Sequence, residues 1–505
     1  MLPPAPFAFQ SRIRQKKRTN KLMPRRSRGV LLPPVPARQP RRADVYLALR
    51  NWVLEGLVAP GERLPSTREA AADYGVSRGL LEEVYTQLLD EGLLERSVGR
   101  GTFIANHEGR SSVVARAGES VYDALSVSTR GLELASNRAC RVPHEFKPFN
   151  AGVADTNEFP WKTWQRIQAR AARDLRCADM NFTDPRGLPA LRTSLAHHLT
   201  QLRGLRCTAD QVIVFNSMHQ ALYLLALLLI NPGDTVWAED PGYPGARAAL
   251  KLAGAVVASI PVDHEGLCVE VGLKRAPNSR LVYVTPAHQF PTGAVMSVER
   301  RLALLNWAEK HDAWVLEDDY DGEFQYVGQP MAPLYSLHER GRVLYLGTLS
   351  KSMFVSLRLA FAVVPEGMVE HLANIRTQID AFNAPLTQLA MSRFMDEGHF
   401  STHVRRMRGV YAAKCAAVTE GLAPLCGCGW TWEDTTMGVQ ILLHHPGAQE
   451  VRRTAKASGL AVHLLSSYRH MPDQGDGLLL RFGGLSIPTI RRGVEQLVSA
   501  ARPTV

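Results

Sequence analysis

Long apolar runs are missing from this chain. The longest, Ala221 to Ile230, covers ten residues, well short of the roughly 20 that a helix needs to cross a bilayer. It reads as a buried helix, and no membrane segment is expected. Paired cysteines are missing too. Cys140, Cys177, Cys207, Cys268, Cys415, Cys426 and Cys428 are scattered and odd in number, with no CxxC pair, which argues against a disulfide framework and fits a reducing cytosol. Cys426 and Cys428, with His444 and His445 downstream, match no zinc spacing, so no metal is expected. Acids are missing from residues 1–40, which hold ten Lys or Arg, and lysine is missing from 41–110, where nine Arg meet eleven acids. The net charge of +11 therefore lies largely in a tail, and it carries no argument about a nucleic-acid partner.

What is present divides into segments. A chain of 505 residues exceeds one compact core, so two or more domains are expected. Residues 1–40, rich in Pro, Arg and Lys, read as a disordered basic tail. That tail either adds non-specific phosphate contacts or precedes a true start such as Met23. Residues 41–107 form a helical, turn-punctuated block, and 108–143 read as a linker. From 144 to 505, apolar strands (212–214, 235–237, 281–284, 313–316, 343–346) alternate with helical stretches, the pattern of an α/β domain with a largely parallel sheet.

In the first block, Ser66 caps a helix and Glu69 completes a capping box. That helix breaks at Tyr74-Gly75-Val76, and a second begins at Ser77, with Leu81, Val84, Tyr85, Leu88 and Leu89 at helical spacing. Two short helices around a tight glycine turn make a helix-turn-helix, whose second helix would face base edges in the major groove. Leu93–Arg96 and Gly101–Ile104 read as two strands of a wing around Val98-Gly99-Arg100. Arg63, Arg68, Arg78 and Arg100, with Ser66 and Ser77, are the side chains expected at phosphates or bases, since the arginine fork binds either in two places. The turn alone fits a plain helical hairpin equally well. The whole string "GLVAPGERLPSTREAAADYGVSRGLLEEVYTQLLDEGLLERSVGRGTFIA" resembles the N-terminal domain of GntR-type bacterial regulators, departing at Gly79-Leu80.

In the second block, five segments suit one chemistry. Gly347-Thr348-Leu349-Ser350-Lys351, with Arg358 beyond, offers an amine, two hydroxyls and a cation. That is what a pyridoxal 5'-phosphate (PLP) site needs for its Schiff base and phosphate. Glu317-Asp318-Asp319-Tyr320 puts carboxylates at a strand end, which serves equally as a ring-nitrogen partner, a metal ligand set or solvated charge. Tyr243, in Glu239-Asp240-Pro241-Gly242-Tyr243-Pro244, suits stacking on a ring or a plain turn. Asn216-Ser217-Met218 opens a helix whose first amides favour phosphate. Thr285 to Gly293, containing His288, forms a strand-end loop near where a ligand would sit.

The order and spacing of these segments resemble fold-type-I aminotransferases. The strings "EDPGYP", "TPAHQFPTG", "EDDYDGEF" and "LSK…LR" resemble the MocR subgroup of GntR regulators, over about 41–500. That resemblance implies a winged helix-turn-helix joined to a PLP-dependent transferase-like α/β domain with a smaller C-terminal lobe. It further implies that Lys351 carries the internal aldimine and that Asp318, rather than Asp319, pairs with the pyridine nitrogen. Tyr320 would bond the ring oxygen, Tyr243 would stack, and Arg481 would clamp a ligand carboxylate. Ser217 replaces the usual Gly at the phosphate helix. Phe290 stands where catalytic aminotransferases carry Asn, which weighs against efficient turnover. The expected function is a cytoplasmic, homodimeric bacterial regulator that binds operator DNA and senses PLP or an amine or amino-acid effector. An aminotransferase with an accessory DNA-binding head is the alternative.

Overall fold

A computed structural model of the chain describes residues 30, 32–35, 40–106, 127–136, 147–150, 152–176, 180–181, 183–328, 331–337, 341–433, 435–471 and 475–501. Nearly all of the basic tail, most of the stretch read as a linker, and Cys140 and Cys177 lie outside the described residues. The chain forms two compact units, 1–126 and 127–505.

The first unit is built on three helices, α1 (Arg42–Leu54), α2 (Thr67–Tyr74) and α3 (Arg78–Asp90), and a hairpin of β1 (Leu94–Ser97) and β2 (Gly101–Ile104). Its core is made by helical stripes: Val45, Leu49 and Trp52 from α1 meet Leu81, Val84, Tyr85 and Leu88 from α3. Full burial of each such side chain contributes about 1.5–3 kcal/mol. The capping box at Ser66 forms in both directions, and α2 stops at Gly75, whose φ of +66° is costly for residues with a Cβ. Tyr85 reaches from α3 to donate to the Pro65 carbonyl at 3.1 Å, which fixes the entry to α2. The hairpin pairs Leu94 with Ile104 and Ser97 with Gly101, leaving Val98, Gly99 and Arg100 as its tip.

The second unit centres on an eight-stranded sheet in the order β3-β10-β9-β8-β7-β4-β5-β6. These strands are β3 (Val212–Phe215), β4 (Thr235–Asp240), β5 (Val256–Asp263), β6 (Gly266–Leu267), β7 (Leu281–Val284), β8 (Trp314–Asp319), β9 (Val343–Thr348) and β10 (Ala360–Val363). The run β9-β8-β7-β4-β5 is parallel, while β10 runs antiparallel to both β3 and β9. Strands such as Leu281–Val284 are buried along their whole length, as expected where both faces are covered. One face carries the helix α4 (Met218–Leu229), the predicted buried apolar run, in a cluster with Leu344, Leu346 and Ala362. The other face packs Trp237, Val282 and Val315 with Leu304 and Trp307. A smaller antiparallel sheet, β11-β13-β12 (Gln440–His444, Gly477–Arg481, His463–Leu464), forms the C-terminal lobe.

One element escaped the sequence. A helix spans Thr129–Ser136 inside the stretch read as a linker, and Arg130 donates to the Leu252 carbonyl at 2.6 Å. Nearly all of its described side chains are exposed, so it has no buried stripe for periodicity to reveal. Cys426 and Cys428 are free and exposed. Among the described residues no cluster of three or more metal-ligating side chains occurs, and no helix is long and apolar enough to cross a membrane.

Candidate functional site

Parallel strands end together, so residues just beyond their C-terminal ends converge; open α/β sheets place their ligands there. Strand β8 delivers Asp318 and Asp319, β9 delivers Thr348 with Ser350 and Lys351 in the turn beyond, and β7 leads into the loop carrying His288 and Phe290.

The two aspartates are handled differently. Asp319 is tied away: Tyr345 donates to its Oδ2 at 2.6 Å, and Arg203 forms a buried ion pair with the same oxygen. Its Oδ1 lies against Gly322 and, like that of Asp318, is buried without a hydrogen-bond partner. Asp318 receives one bond, from the Tyr283 hydroxyl at 2.7 Å, and its Oδ1 is buried without a partner. Burial is the main reason its pKa is pushed up to about 7, with Asp319, Asp321 and Glu239 adding to the rise. An unpaired carboxylate oxygen in such surroundings costs about 1–3 kcal/mol or more. What separates the two carboxylates is charge: Arg203 compensates Asp319, and among the described residues no cation is paired with Asp318.

Lys351 donates to the Gly152 carbonyl. Burial and the nearby Arg481 guanidinium push its pKa down to about 8, while Asp321 and Asp318 pull the other way. A Cβ on Gly152 would stand 3.4 Å from both Lys351 Nζ and Arg481 Cδ, so the glycine lets the backbone pass between the two cations. That segment is anchored by Asp155, which accepts from Lys414 at 2.5 Å, and Lys414 also donates to Gly483 O at 2.7 Å.

An aromatic wall completes the pocket. Phe290 meets Tyr243, Tyr320 and Tyr468 edge-on, with centroids 5.8, 6.2 and 5.3 Å apart. The Arg481 guanidinium lies 5.6 Å from the Phe290 ring and 5.5 Å from Tyr468, and it donates to the Tyr468 hydroxyl at 2.6 Å. The Tyr320 hydroxyl sits 3.1 Å from His288 Nδ1, whose stronger partner is Asp321 at 2.8 Å. Tyr243 reaches His219 at 3.4 Å, and the charge of Arg358 depresses the pKa of that histidine after burial has done so. Arg358, Tyr243 and the start of α4 therefore share one end of the pocket. There Ser217 caps α4 by accepting from Gln220 N at 3.2 Å, Met218 is its buried first residue, and Thr348 donates to Ser350 at 3.1 Å.

In the first unit, Arg63, Ser66, Arg68, Ser77, Arg78 and Arg100 are all exposed. Arg63 lies against the wing, its Nε 2.9 Å from where a Cβ on Gly101 would sit. Arg78 pairs with Glu82 one turn along α3 at 2.8 Å, so a phosphate or base must compete with that exposed pair, worth about 0.3–0.5 kcal/mol. Ser66 and Ser77 spend their hydroxyls on helix caps.

Sequence reasoning missed Tyr283, Arg203, Tyr345, Gly152, Asp321 and Tyr468. Tyr283 and Tyr345 left a signal, each being the one ring with a polar atom in an apolar strand, Leu281-Val282-Tyr283-Val284 and Val343-Leu344-Tyr345-Leu346. The rest act through folding that brings distant segments together.

Comparison with known proteins agrees with both units. Residues 41–104 match the gntR family of bacterial regulatory proteins, and residues 155–468 match aminotransferase class I and II. The chain is 36% identical over 466 residues to the probable rhizopine catabolism regulatory protein MocR of Rhizobium meliloti, covering 91% of this chain and 94% of that protein. It is 31% identical over 455 residues to the pyridoxine biosynthesis transcriptional regulator PdxR of Corynebacterium glutamicum, covering 90% and 94%. Among solved structures, kynurenine aminotransferase of Pyrococcus horikoshii superposes with a TM-score of 0.65 at 24% identity, covering 77% of this chain and 98% of that one. The α-aminoadipate aminotransferase LysN of Thermus thermophilus gives 0.64 at 23%, covering 74% and 94%. These structural likenesses show the fold of the second unit. The chain thus belongs to the GntR family of bacterial regulators, in the MocR group that joins a helix-turn-helix head to an aminotransferase class I and II domain.

Proposed function

We propose that this chain is a transcription regulator whose body holds PLP at Lys351 and whose head grips an operator. The observation that carries the reading is the buried Asp318 carboxyl, its Oδ1 bare and no described cation paired with it, beside an amine whose pKa is pushed down to about 8. The pocket's residues fit the cofactor. Bound there, PLP would supply an aldehyde and an electron-withdrawing ring.

The chain's own groups then have distinct tasks. With its pKa pushed down to about 8, Lys351 offers roughly a tenth of its amine neutral at pH 7, far more than an ordinary lysine, and the neutral form is the one needed for attack on an aldehyde. Asp318 keeps a proton on the ring nitrogen. Tyr320 donates to the ring oxygen, which it can do because Asp321 already engages the Nδ1 of His288. Thr348, Ser350, Arg358 and the first amides of α4, at Ser217 and Met218, hold the phosphate, and Tyr243 covers the ring face. Arg481 takes an effector carboxylate in exchange for the Tyr468 hydroxyl, with His288 behind the loop. Phe290, packed into the aromatic wall, gives the ring oxygen no hydrogen bond, which fits sensing better than turnover.

With an effector amine held in the pocket, Lys351 would remain as a free amine. Coupling of that change to the head needs differential affinity for two states, typically about 1–3 kcal/mol. In the head, Arg78 and the start of α3 meet base edges while Arg63, Arg68 and Arg100 meet phosphates. Two copies would read paired half-sites. The two curated relatives are named for rhizopine catabolism and pyridoxine biosynthesis, which supports a small-molecule response here. The test is direct: purified chain incubated with PLP should gain a visible absorbance band that Lys351→Ala lacks, and failure to gain one refutes the cofactor half.

A further inference from the structure

The body contains a second cleft, of about 430 Å³, outside the lysine pocket. It opens between the larger sheet and the C-terminal lobe, with Asp263, His288 and Thr292 on one side and Gln440, His444 and Arg469 on the other. Lys351, Asp318, Tyr243, Tyr320 and Arg481 do not line it.

Its buried uncommitted side-chain atoms are donors. Gln440 is only 6% exposed, and its Nε2 has no hydrogen-bond partner. Arg469 likewise has a buried Nε without a partner, although one Nη donates to the Gly475 carbonyl. Of the two lining carboxylates, Asp263 is engaged: it pairs with Arg300 at 3.1 Å and accepts from Cys268 at 3.2 Å, while Glu433 is exposed to solvent. Buried donors beside a cation, with one carboxylate neutralised and the other in water, call for a ligand rich in anionic oxygen.

We propose that this cleft is a second small-molecule site, for a small carboxylate, and that one loop reports its occupancy to the lysine pocket. The loop has two faces. His288 lines the cleft and contacts Asp321 and Tyr320. Phe290, two residues on, packs against Tyr243, Tyr468 and Arg481. Gln289 between them is buried, accepts from the Thr292 hydroxyl at 2.7 Å and donates its backbone amide to the Ala294 carbonyl at 2.9 Å, so one bonded loop carries both faces. Coupling of this kind changes affinity by a factor of about 5–150.

The probe is malonate, which has no amine to react with an aldehyde. Titration calorimetry on the full chain should show binding that survives Arg481→Gln, weakens at least about tenfold in Arg469→Gln and Gln440→Leu, and is largely kept in Arg469→Lys. Should Arg481→Gln not fold, wild-type protein loaded with a phosphopyridoxyl amino acid gives the same reading. Binding lost in Arg481→Gln but untouched in Arg469→Gln, or no binding at millimolar malonate, overturns the site. The titrations of the Arg469 and Gln440 variants need no cofactor, so they stand apart from the reading of Lys351. The second limb rests on that reading: malonate should shift the visible band of PLP-loaded Arg481→Gln. Binding without a shift overturns the coupling.

Discussion

The head and the body put charge to use in opposite ways. In the head, every arginine expected at DNA is exposed, and the fold's task is to present it from a capped helix or a hairpin tip. In the body, the working groups other than Arg358 are buried or half-buried, and the fold's task is to decide which charges are compensated. Asp319 is paired with Arg203, Asp321 with His288, and Asp318 with no described cation. Exposed charges are cheap to hold and their pairs weak. A buried uncompensated group costs stability and is kept where a ligand completes it.

The largest expected effect tests the second half of that contrast. Asp318→Asn should lower PLP affinity by roughly 100-fold, the scale of a lost charge-assisted bond of about 1.5–3 kcal/mol, in a fluorescence or absorbance titration. The same change should raise the melting temperature of the cofactor-free protein at pH 8. The sign follows from the raised pKa. The folded state holds this proton more tightly than the unfolded chain, so the carboxyl contributes stability below its usual range near pH 4. That contribution is lost as the pH rises through about 7. The advantage of Asn should accordingly vanish by about pH 4, and an Asn variant no more stable at pH 8 would refute the strain assigned to Asp318.

Next in size, Arg78→Ala should weaken operator binding by about 1–3 kcal/mol in gel-shift titration and leave PLP content unchanged. A loss of PLP would blur the division between the two units. The rate of PLP attachment should rise roughly tenfold between pH 7 and pH 9, as an amine with a pKa of about 8 loses its proton, and a flat profile would mean that the amine is already neutral at pH 7. Smaller again, Arg100→Ala should reduce the salt slope of DNA binding by about 1. Smallest in its reach, Ser66→Ala should destabilise the head by about 1 kcal/mol through loss of the cap, with no change in the visible band.

Legibility followed the same division. The head's signals are contiguous: cap, turn, stripe and wing follow one another within one stretch of chain, and each is a local rule. Ser66 with Glu69, the Gly75 stop and the Leu81–Leu88 stripe all formed as read. The body's strands were legible because apolar runs covered on both faces need no partner to be recognised, and Lys351, Asp318, Tyr320 and Tyr243 stood at their ends. The helix at Thr129–Ser136 was not legible, because it buries almost nothing.

The sequence by itself determined the two folds and the residue types at each site, since propensity, capping and burial act over a few neighbouring positions. Only the tertiary structure decided which carboxylate received the arginine, which backbone segment passed between Lys351 and Arg481, and that Tyr468 would hold the arginine. Those outcomes depend on residues 13 to 199 positions apart competing for the same few buried hydrogen bonds, and that competition exists only once the chain has folded.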